Sequence, residues 1–154
     1  MQKETMELRL KYWVILVLLM SVQSVAAQSY IRQGRSKYSE PLYNWDGQYL
    51  RQGRSKYAEP ILNYDGIYIR AGSSKYERAI YNWDGTMLRS GESKYNEPLY
   101  NWDGEFLRQG RSKYSTVVYN FDGSFIRAGK SKYSEPLYNI EGKIPIAVLI
   151  VILE

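Results

Sequence analysis

The chain carries a glycine every 19 residues, at Gly47, Gly66, Gly85, Gly104, Gly123 and Gly142. Each closes a copy or near-copy of one pentapeptide. Tyr43-Asn44-Trp45-Asp46-Gly47 recurs unchanged at Tyr81–Gly85 and Tyr100–Gly104. Asn63-Tyr64-Asp65-Gly66, Asn120-Phe121-Asp122-Gly123 and Asn139-Ile140-Glu141-Gly142 fall on the same grid. Six copies of a unit such as Gln48–Gly66 fill the stretch from Ser29 to Gly142. A unit this short cannot bury an apolar face alone, so neighbours must bury it together, and the chain is restricted to repeat architectures.

Asp-Gly between apolar segments signals a hairpin, with Gly47 supplying a positive φ. The spacing predicts that Asn44-Trp45-Asp46-Gly47 turns the chain between Pro41-Leu42-Tyr43 and Gln48-Tyr49-Leu50-Arg51, both rich in strand-forming residues. A second turn falls at Gly53 and Arg54-Ser55. Pro41, Pro60, Pro98 and Pro136 stand where a strand begins, where the missing N–H is tolerated. Residues 28–142 have no helical periodicity. Two positions are aliphatic in every unit: Leu42, Ile61, Ile80, Leu99, Val118 and Leu137, and Ile31, Leu50, Ile69, Leu88, Leu107 and Ile126. Alternation predicts that both sets share the buried face. Tyr43, Tyr81, Tyr100, Tyr119 and Tyr138, and Tyr49, Tyr68, Met87, Phe106 and Phe125, are then expected on the other face.

Ser36-Lys37-Tyr38 recurs identically at 55–57, 74–76, 93–95, 112–114 and 131–133, and an arginine recurs at Arg32, Arg51, Arg70, Arg89, Arg108 and Arg127. One reading is structural: each Arg pairs with a turn carboxylate such as Asp46 in a neighbouring unit, and each Tyr packs across a unit boundary. The other is functional: cations at fixed spacing add their fields and bind an anionic partner. On that reading the candidate residues are Arg51, Arg70, Arg89, Arg108, Lys56, Lys75, Lys94 and Lys113, joined by Trp45, Trp83 and Trp102 at the hairpin tips. Aromatic side chains there could stack on sugar rings or rest at a lipid interface. Tyr64, Phe121 and Ile140 at the same position favour packing between petals.

Residues 1–27 differ from the rest. Lys3, Arg9 and Lys11 precede an apolar run, Tyr12 to Met20, and a small-residue stretch ending Val25-Ala26-Ala27. This order reads as a signal peptide cut before Gln28, which predicts an exported protein in the periplasm, outer envelope or extracellular space. A membrane anchor is the other reading, but the run is shorter than the roughly 20 residues a spanning helix needs. The full chain has a net charge of +5, and Gln28–Glu154 keeps +4 once Lys3, Arg9, Lys11, Glu4 and Glu7 are removed. The chain has no Cys and no His. That excludes a disulfide framework and any catalytic site built on His. A carboxylate pair is not excluded by composition, but every carboxylate of the repeat region sits within a repeat and none stands out. We expect no enzyme activity, no cofactor, no metal and no nucleic-acid partner.

The tail, Ile144–Leu153, has no polar side chain. It is too short to span a bilayer as a helix, and exposed it would aggregate. Six hairpins make twelve strands. Barrels of about eight strands fill with their own side chains and those of about 16 leave a channel, so twelve leave room for one element. A helix of ten residues is about 15 Å long, which matches a wall of short tilted strands, and Pro145 suits its first turn. The segments are therefore residues 1–27, a signal peptide; residues 28–142, a six-repeat β domain; and residues 143–154, an apolar plug. The alternative is an open β-solenoid with the tail as a capping strand.

Tandem Asp-Gly-x-x-[Ile/Leu]-Arg units after a signal peptide, closed by an apolar C-terminal segment, resemble small bacterial repeat proteins of the β-flower type. The resemblance implies a shallow barrel with radiating hairpins, similar in shape to the Tubby C-terminal domain, a 12-stranded barrel around an apolar helix. Tubby domains bind phosphoinositides through basic residues, and no motif here carries that site over. Tyr81-Asn82-Trp83-Asp84-Gly85-Thr86-Met87 also resembles choline-binding cell-wall repeats. The residue after Gly53, Gly72, Gly91, Gly110 and Gly129 is Arg, Ser, Glu, Arg and Lys, not the Trp that helps build a choline cage. The expected function is a structural or interaction module at the cell envelope. The alternative is a carbohydrate- or lipid-binding module, with envelope glycan or anionic lipid headgroups as partners.

Overall fold

The computed structural model describes residues 27–154; the segment read as a signal peptide lies outside them but for Ala27. The repeat builds two strands per unit: β1 Ser29–Gln33, β2 Tyr43–Trp45, β3 Tyr49–Gln52, β4 Pro60–Tyr64, β5 Tyr68–Ala71, β6 Tyr81–Trp83, β7 Met87–Ser90, β8 Pro98–Trp102, β9 Phe106–Gln109, β10 Val117–Phe121, β11 Phe125–Ala128 and β12 Tyr138–Glu141. Every neighbour in sequence is an antiparallel neighbour in space, and β12 pairs with β1 through Tyr30–Glu141 to Gln33–Tyr138, which closes the barrel. The open solenoid is not formed. The tail folds as helix α1, Ile146–Leu153. Ala147, Val148, Leu149 and Ile150 are fully buried in one cluster with Ile31, Leu50, Ile69, Leu88, Leu107 and Ile126 from all round the wall. The β-branched content of α1 disfavours helix, but the lumen gives no strand a pairing edge, and a helix satisfies its own backbone.

The barrel has two different ends. At the hairpin end, Gly47 and Gln48 turn the chain tightly, and Asp46 bonds to Tyr49 across them. Here Ile144 and Ile146 enter beside Trp102 and Phe121. The helix leaves at the loop end, where Glu154 lies near the Tyr81 hydroxyl. Burial first, and then the nearness and charge of Glu154, push the Tyr81 hydroxyl up to about 12.

The expected assignment of faces is wrong at one position of every unit. Leu42, Ile61, Ile80 and Leu137 are 37–45% exposed, and Leu99 and Val118 are only partly covered. Tyr43, Tyr81, Tyr100, Tyr119 and Tyr138, expected outside, pack against the core. A β-bulge explains the change. Leu50 faces Leu62 and Arg51 faces Pro60, so the pairing passes over Ile61; it passes over Leu99 and Val118 in the same way. In the other units the strand begins two residues later, just past the equivalent aliphatic residue, at Tyr43, Tyr81 and Tyr138. The extra residue turns its side chain outward and shifts the alternation by one. Its carbonyl is not idle: it accepts the N–H of the glycine that ends the neighbouring strand, Gly53 to Leu42 at 2.7 Å being one of six such bonds.

The seam between first and last repeats is the tightest point. Gly142 has φ +86°, and a Cβ there would lie 2.3 Å from Ser29 Oγ and 3.1 Å from Ser29 Cα. Ser29 Oγ also accepts the Lys143 N–H at 2.9 Å. Gly123, at φ +94°, has nothing within 4 Å. Gly123→Ala therefore carries only backbone strain, about 1–3 kcal/mol. Gly142→Ala is expected to cost clearly more in urea unfolding, and adding Ser29→Gly should recover the excess. Equal losses for the two alanine variants would show that the seam is not closed as described. Leu149→Ala, in the middle of the plug, is expected to cost about 2–5 kcal/mol in the same measurement.

Candidate binding surface

The outer wall is built from asparagine and arginine, which alternation places opposite the apolar face. Asn44 faces Arg51 across β2 and β3. Its Nδ2 donates to the carbonyls of Gly53 at 2.8 Å and Ser55 at 3.2 Å. Asn63, Asn82, Asn101 and Asn120 repeat both bonds to the glycine and serine nine and eleven residues on. Asn139 reaches across the seam to Gly34 and Ser36. All six are buried. Each therefore ties the loop that follows one strand pair back onto the outside of the wall. The loops extend toward the hairpin end: Lys94 lies against Trp83, Asp84 and Gly85, and Lys37 against Ser124, Phe125 and Glu141. Sequence reasoning took these asparagines for turn residues; the invariance of Asn beside a variable aromatic was the signal for a buried amide.

The recurring arginines are spent on structure. Arg51 binds Asp46, Arg70 binds Asp65, Arg89 binds Asp84, Arg108 binds Asp103, Arg127 binds Asp122 and Arg32 binds Glu141, all at 2.5–2.7 Å. The arginine side chains are 5–14% exposed. The other oxygen of each aspartate accepts backbone N–H groups of its own turn, as Asp46 does from Gln48 and Tyr49. Burial pushes the Asp84 carboxyl up, but hydrogen bonds from Arg89, Thr86 and Met87 outweigh it and bring it down to about 2. Against the same burial, turn and arginine bonds hold Asp46, Asp65, Asp103 and Asp122 below the usual carboxylate value. Arg51, Arg70, Arg108 and Arg127 also lie 5.2–5.5 Å over the aromatic ring two residues earlier.

The tryptophans are not at the tips. Trp45 and Trp83 are 3% and 8% exposed and belong to the core, and Trp102 is half-buried against it, 6.5 Å from the Phe121 ring. They pair inward with Leu50, Leu88 and Leu107, because the turn begins one residue after them. This geometry leaves Trp45 and Trp83 no face for a sugar ring and places them in the barrel rather than between petals.

What remains exposed is the Ser-Lys-Tyr loop. Lys56, Lys75, Lys94 and Lys113, with Lys37 and Lys132, are exposed, and among the described residues none has an acidic partner. Each ammonium lies 5.1–5.3 Å over the ring of the tyrosine that follows it. Those tyrosines, Tyr38, Tyr57, Tyr76, Tyr95, Tyr114 and Tyr133, are 83–87% exposed. The expected packing of Tyr across a unit boundary is not found. The serine has a local task, since its Oγ accepts the tyrosine N–H at 3.1–3.2 Å. Neighbouring petals are joined by exposed clasps instead, Arg35 to Glu135, Arg54 to Glu40 and Arg111 to Glu97, at 3.3–3.5 Å. With wall and clasp charges paired, the positive charge left over lies mainly in the lysine ring.

The lowered aspartates fix the response to acid. A carboxyl whose folded value lies below its unfolded one contributes stability above the unfolded value and loses it as pH falls through the folded one. For Asp84 the window runs from the ordinary aspartate value of about 3.9 down to about 2. The urea midpoint should hold level from neutral pH down to about pH 4 and fall below it. Asp84→Asn should be less stable at neutral pH and show a shallower acid slope. An unchanged slope would show that the Asp84–Arg89 pair contributes nothing.

The family model described as "6-fold beta flower protein" matches residues 31–149. No curated protein and no solved structure matches the chain. With six hairpin units, a wall of twelve strands and petals pinned outside it, the chain belongs to the 6-fold beta flower protein family.

Proposed function

We propose that this protein is a non-enzymatic, exported interaction module of the cell envelope that binds an anionic partner through its ring of six Lys–Tyr loops. The observation that carries the reading is the exposure of all six tyrosines at 83–87%. Packing asks nothing of a side chain that exposed. Yet Lys-Tyr is identical in every loop, while the residue before the serine reads Arg, Arg, Ser, Glu, Arg and Lys, and the residues after the tyrosine also vary. A flat ring beside an ammonium offers stacking and charge together. Six such sites on one ring bind a repetitive partner far more tightly than any one of them would. The exported location rests on the order of basic, apolar and small residues in residues 1–27.

The test uses the chain from Gln28 with two probes, polygalacturonate and vesicles containing phosphatidylglycerol. Binding to at least one is expected, weakening steeply with salt. Tyr57→Ser, Tyr76→Ser and Tyr95→Ser together leave the net charge unchanged and should weaken binding by about tenfold or more, with the melting temperature retained. Lys56→Glu, Lys75→Glu and Lys94→Glu should abolish it, whereas Arg78→Glu and Lys143→Glu, charge reversals off the ring, should not. Equal effects of the two charge sets would reduce the ring to a general basic surface, and no binding of either probe would end the reading.

A further inference from the structure

The loops are alike, but the grooves between them are not. The grooves at the seam and between the third and fourth repeats are walled by the second residue of one repeat and by the seventh and ninth residues of the next, positions that recur in every unit. The ninth is always lysine. The seventh is Arg35, Arg54, Ser73, Glu92, Arg111 and Lys130 in chain order. Because the barrel closes, Arg111, Lys130, Arg35 and Arg54 are consecutive around the ring, and the seam between last and first repeats lies in the middle of this arc.

The groove at the seam has a volume of about 680 Å³, within the 300–1,000 Å³ range of small-molecule sites. Arg35, Lys37 and Arg54 stand on its walls with the rings of Tyr38 and Phe125. Its one carboxylate, Glu141, is held by the buried Arg32 at 2.6 Å. The basic groups are not so held. Arg35 and Arg54 touch Glu135 and Glu40 at 3.5 and 3.4 Å, with the four side chains 58–86% exposed. Those distances are well beyond the roughly 2.7–2.9 Å of a strong charge-assisted bond, and Lys37 has only its tyrosine. The groove between the third and fourth repeats differs: it carries Glu92 and Asp84, the latter held by Arg89, against a single cation, Lys94.

We infer that the seam groove binds an acidic sugar residue of an anionic polysaccharide, a deepening that rests on the ring of loops being a binding surface. The carboxylate of the sugar lies among Arg35, Lys37 and Arg54, where a guanidinium fork can grip it with two bonds. The C–H face of the sugar ring lies against Phe125 or Tyr38. The chain of sugars continues along the basic arc toward Lys130 and Lys132 on one side and Lys56 on the other. A lipid surface fits less well. Interfacial binding needs apolar side chains inserted beside the cations. Of the exposed aliphatic residues, Leu42, Ile61, Ile80 and Leu137 stand at the loop end, and a single one, Ile67, is at the hairpin end that Lys37 and Lys94 reach, too little apolar surface for insertion beside the cations.

Calorimetric titration of the chain from Gln28 with tetragalacturonate, neutral galactotetraose and phosphatidylglycerol vesicles tests this. Tetragalacturonate should bind and the neutral oligosaccharide should not. Lys37→Gln with Arg54→Gln should weaken tetragalacturonate binding by about tenfold or more, and Lys75→Gln with Lys94→Gln, on the ring but away from the seam, by clearly less. All four side chains are exposed, and thermal melts verify that each variant is folded; Arg54→Lys keeps the charge and removes only the fork. Ser73→Arg with Glu92→Arg extends the arc and should raise the number of tetragalacturonate molecules bound. Equal loss in both lysine variants would overturn the seam site and leave the ring as a uniform binding surface. Vesicle binding without tetragalacturonate binding would overturn the sugar assignment alone, and no binding to either would overturn this inference together with the reading on which it rests.

Discussion

Everything outside the barrel wall depends on six buried amides. A two-stranded hairpin in water is marginal, and a loop such as Gly53–Glu59 has no apolar face of its own to fold against. Asn44 and its equivalents supply the missing hold by donating both Nδ2 hydrogens to loop carbonyls. Each such bond is worth only about 0.5–1.5 kcal/mol net, but an unpaired buried amide costs more than that. The amide is therefore bonded or the wall is not covered. That all-or-none condition gives the loops one conformation and lets six lysines and six tyrosines stand at the same height around the ring.

The arginines follow from the same placement. They share the outer face with the amides and are covered by the same loops, so each needs a counter-charge in reach. The turn aspartate five residues earlier supplies it, and the bonds that hold the turn also hold the carboxylate. The local sequence Asp-Gly-x-x-x-Arg thus specifies a hairpin and neutralises its own charge in one unit. The Nε atoms of Arg51, Arg89 and Arg127 remain buried without a protein partner, whereas Arg32 Nε donates to Ser39 at 2.8 Å. The loop after β1 thus supplies its arginine with a carbonyl that those three lack.

Much of this was legible in the chain. The 19-residue grid implied twelve strands and the apolar tail an enclosed space, which a closed barrel meets; the sequence still allowed an open solenoid, and the β1–β12 pairing decides against it. The pairing of Arg with the turn carboxylate was one of the two readings the pattern allowed. The bulge at Leu42, Ile61 and their equivalents was not legible, because an aliphatic side chain there looks the same whether the strand continues through it or bends at it. That single residue reversed the faces of Tyr43 and Trp45, and with them the idea of aromatic tips. Nor does composition distinguish a tyrosine that packs from one that stands in water; Tyr38 and Tyr43 differ only in where the strand begins. The lysines were among the candidate residues, whereas the exposed tyrosines beside them were taken for packing.

The plug has a consequence for how such a chain can change in length. Twelve strands about 4.8 Å apart and tilted by about 40° give a wall about 12 Å in radius. The helix backbone fills a cylinder of about 2.3 Å radius, leaving about 10 Å for two layers of side chains, the usual spacing of packed layers. One repeat fewer or more would move the wall by about 2 Å. A radial gap of only 0.5–1 Å already forfeits a quarter to a half of a contact's attraction, and the same displacement inward is a clash. An open solenoid gains or loses a unit at its end with little change elsewhere. Here α1 acts as a gauge: tandem duplication can write any number of repeats into the gene, and the helix accepts six.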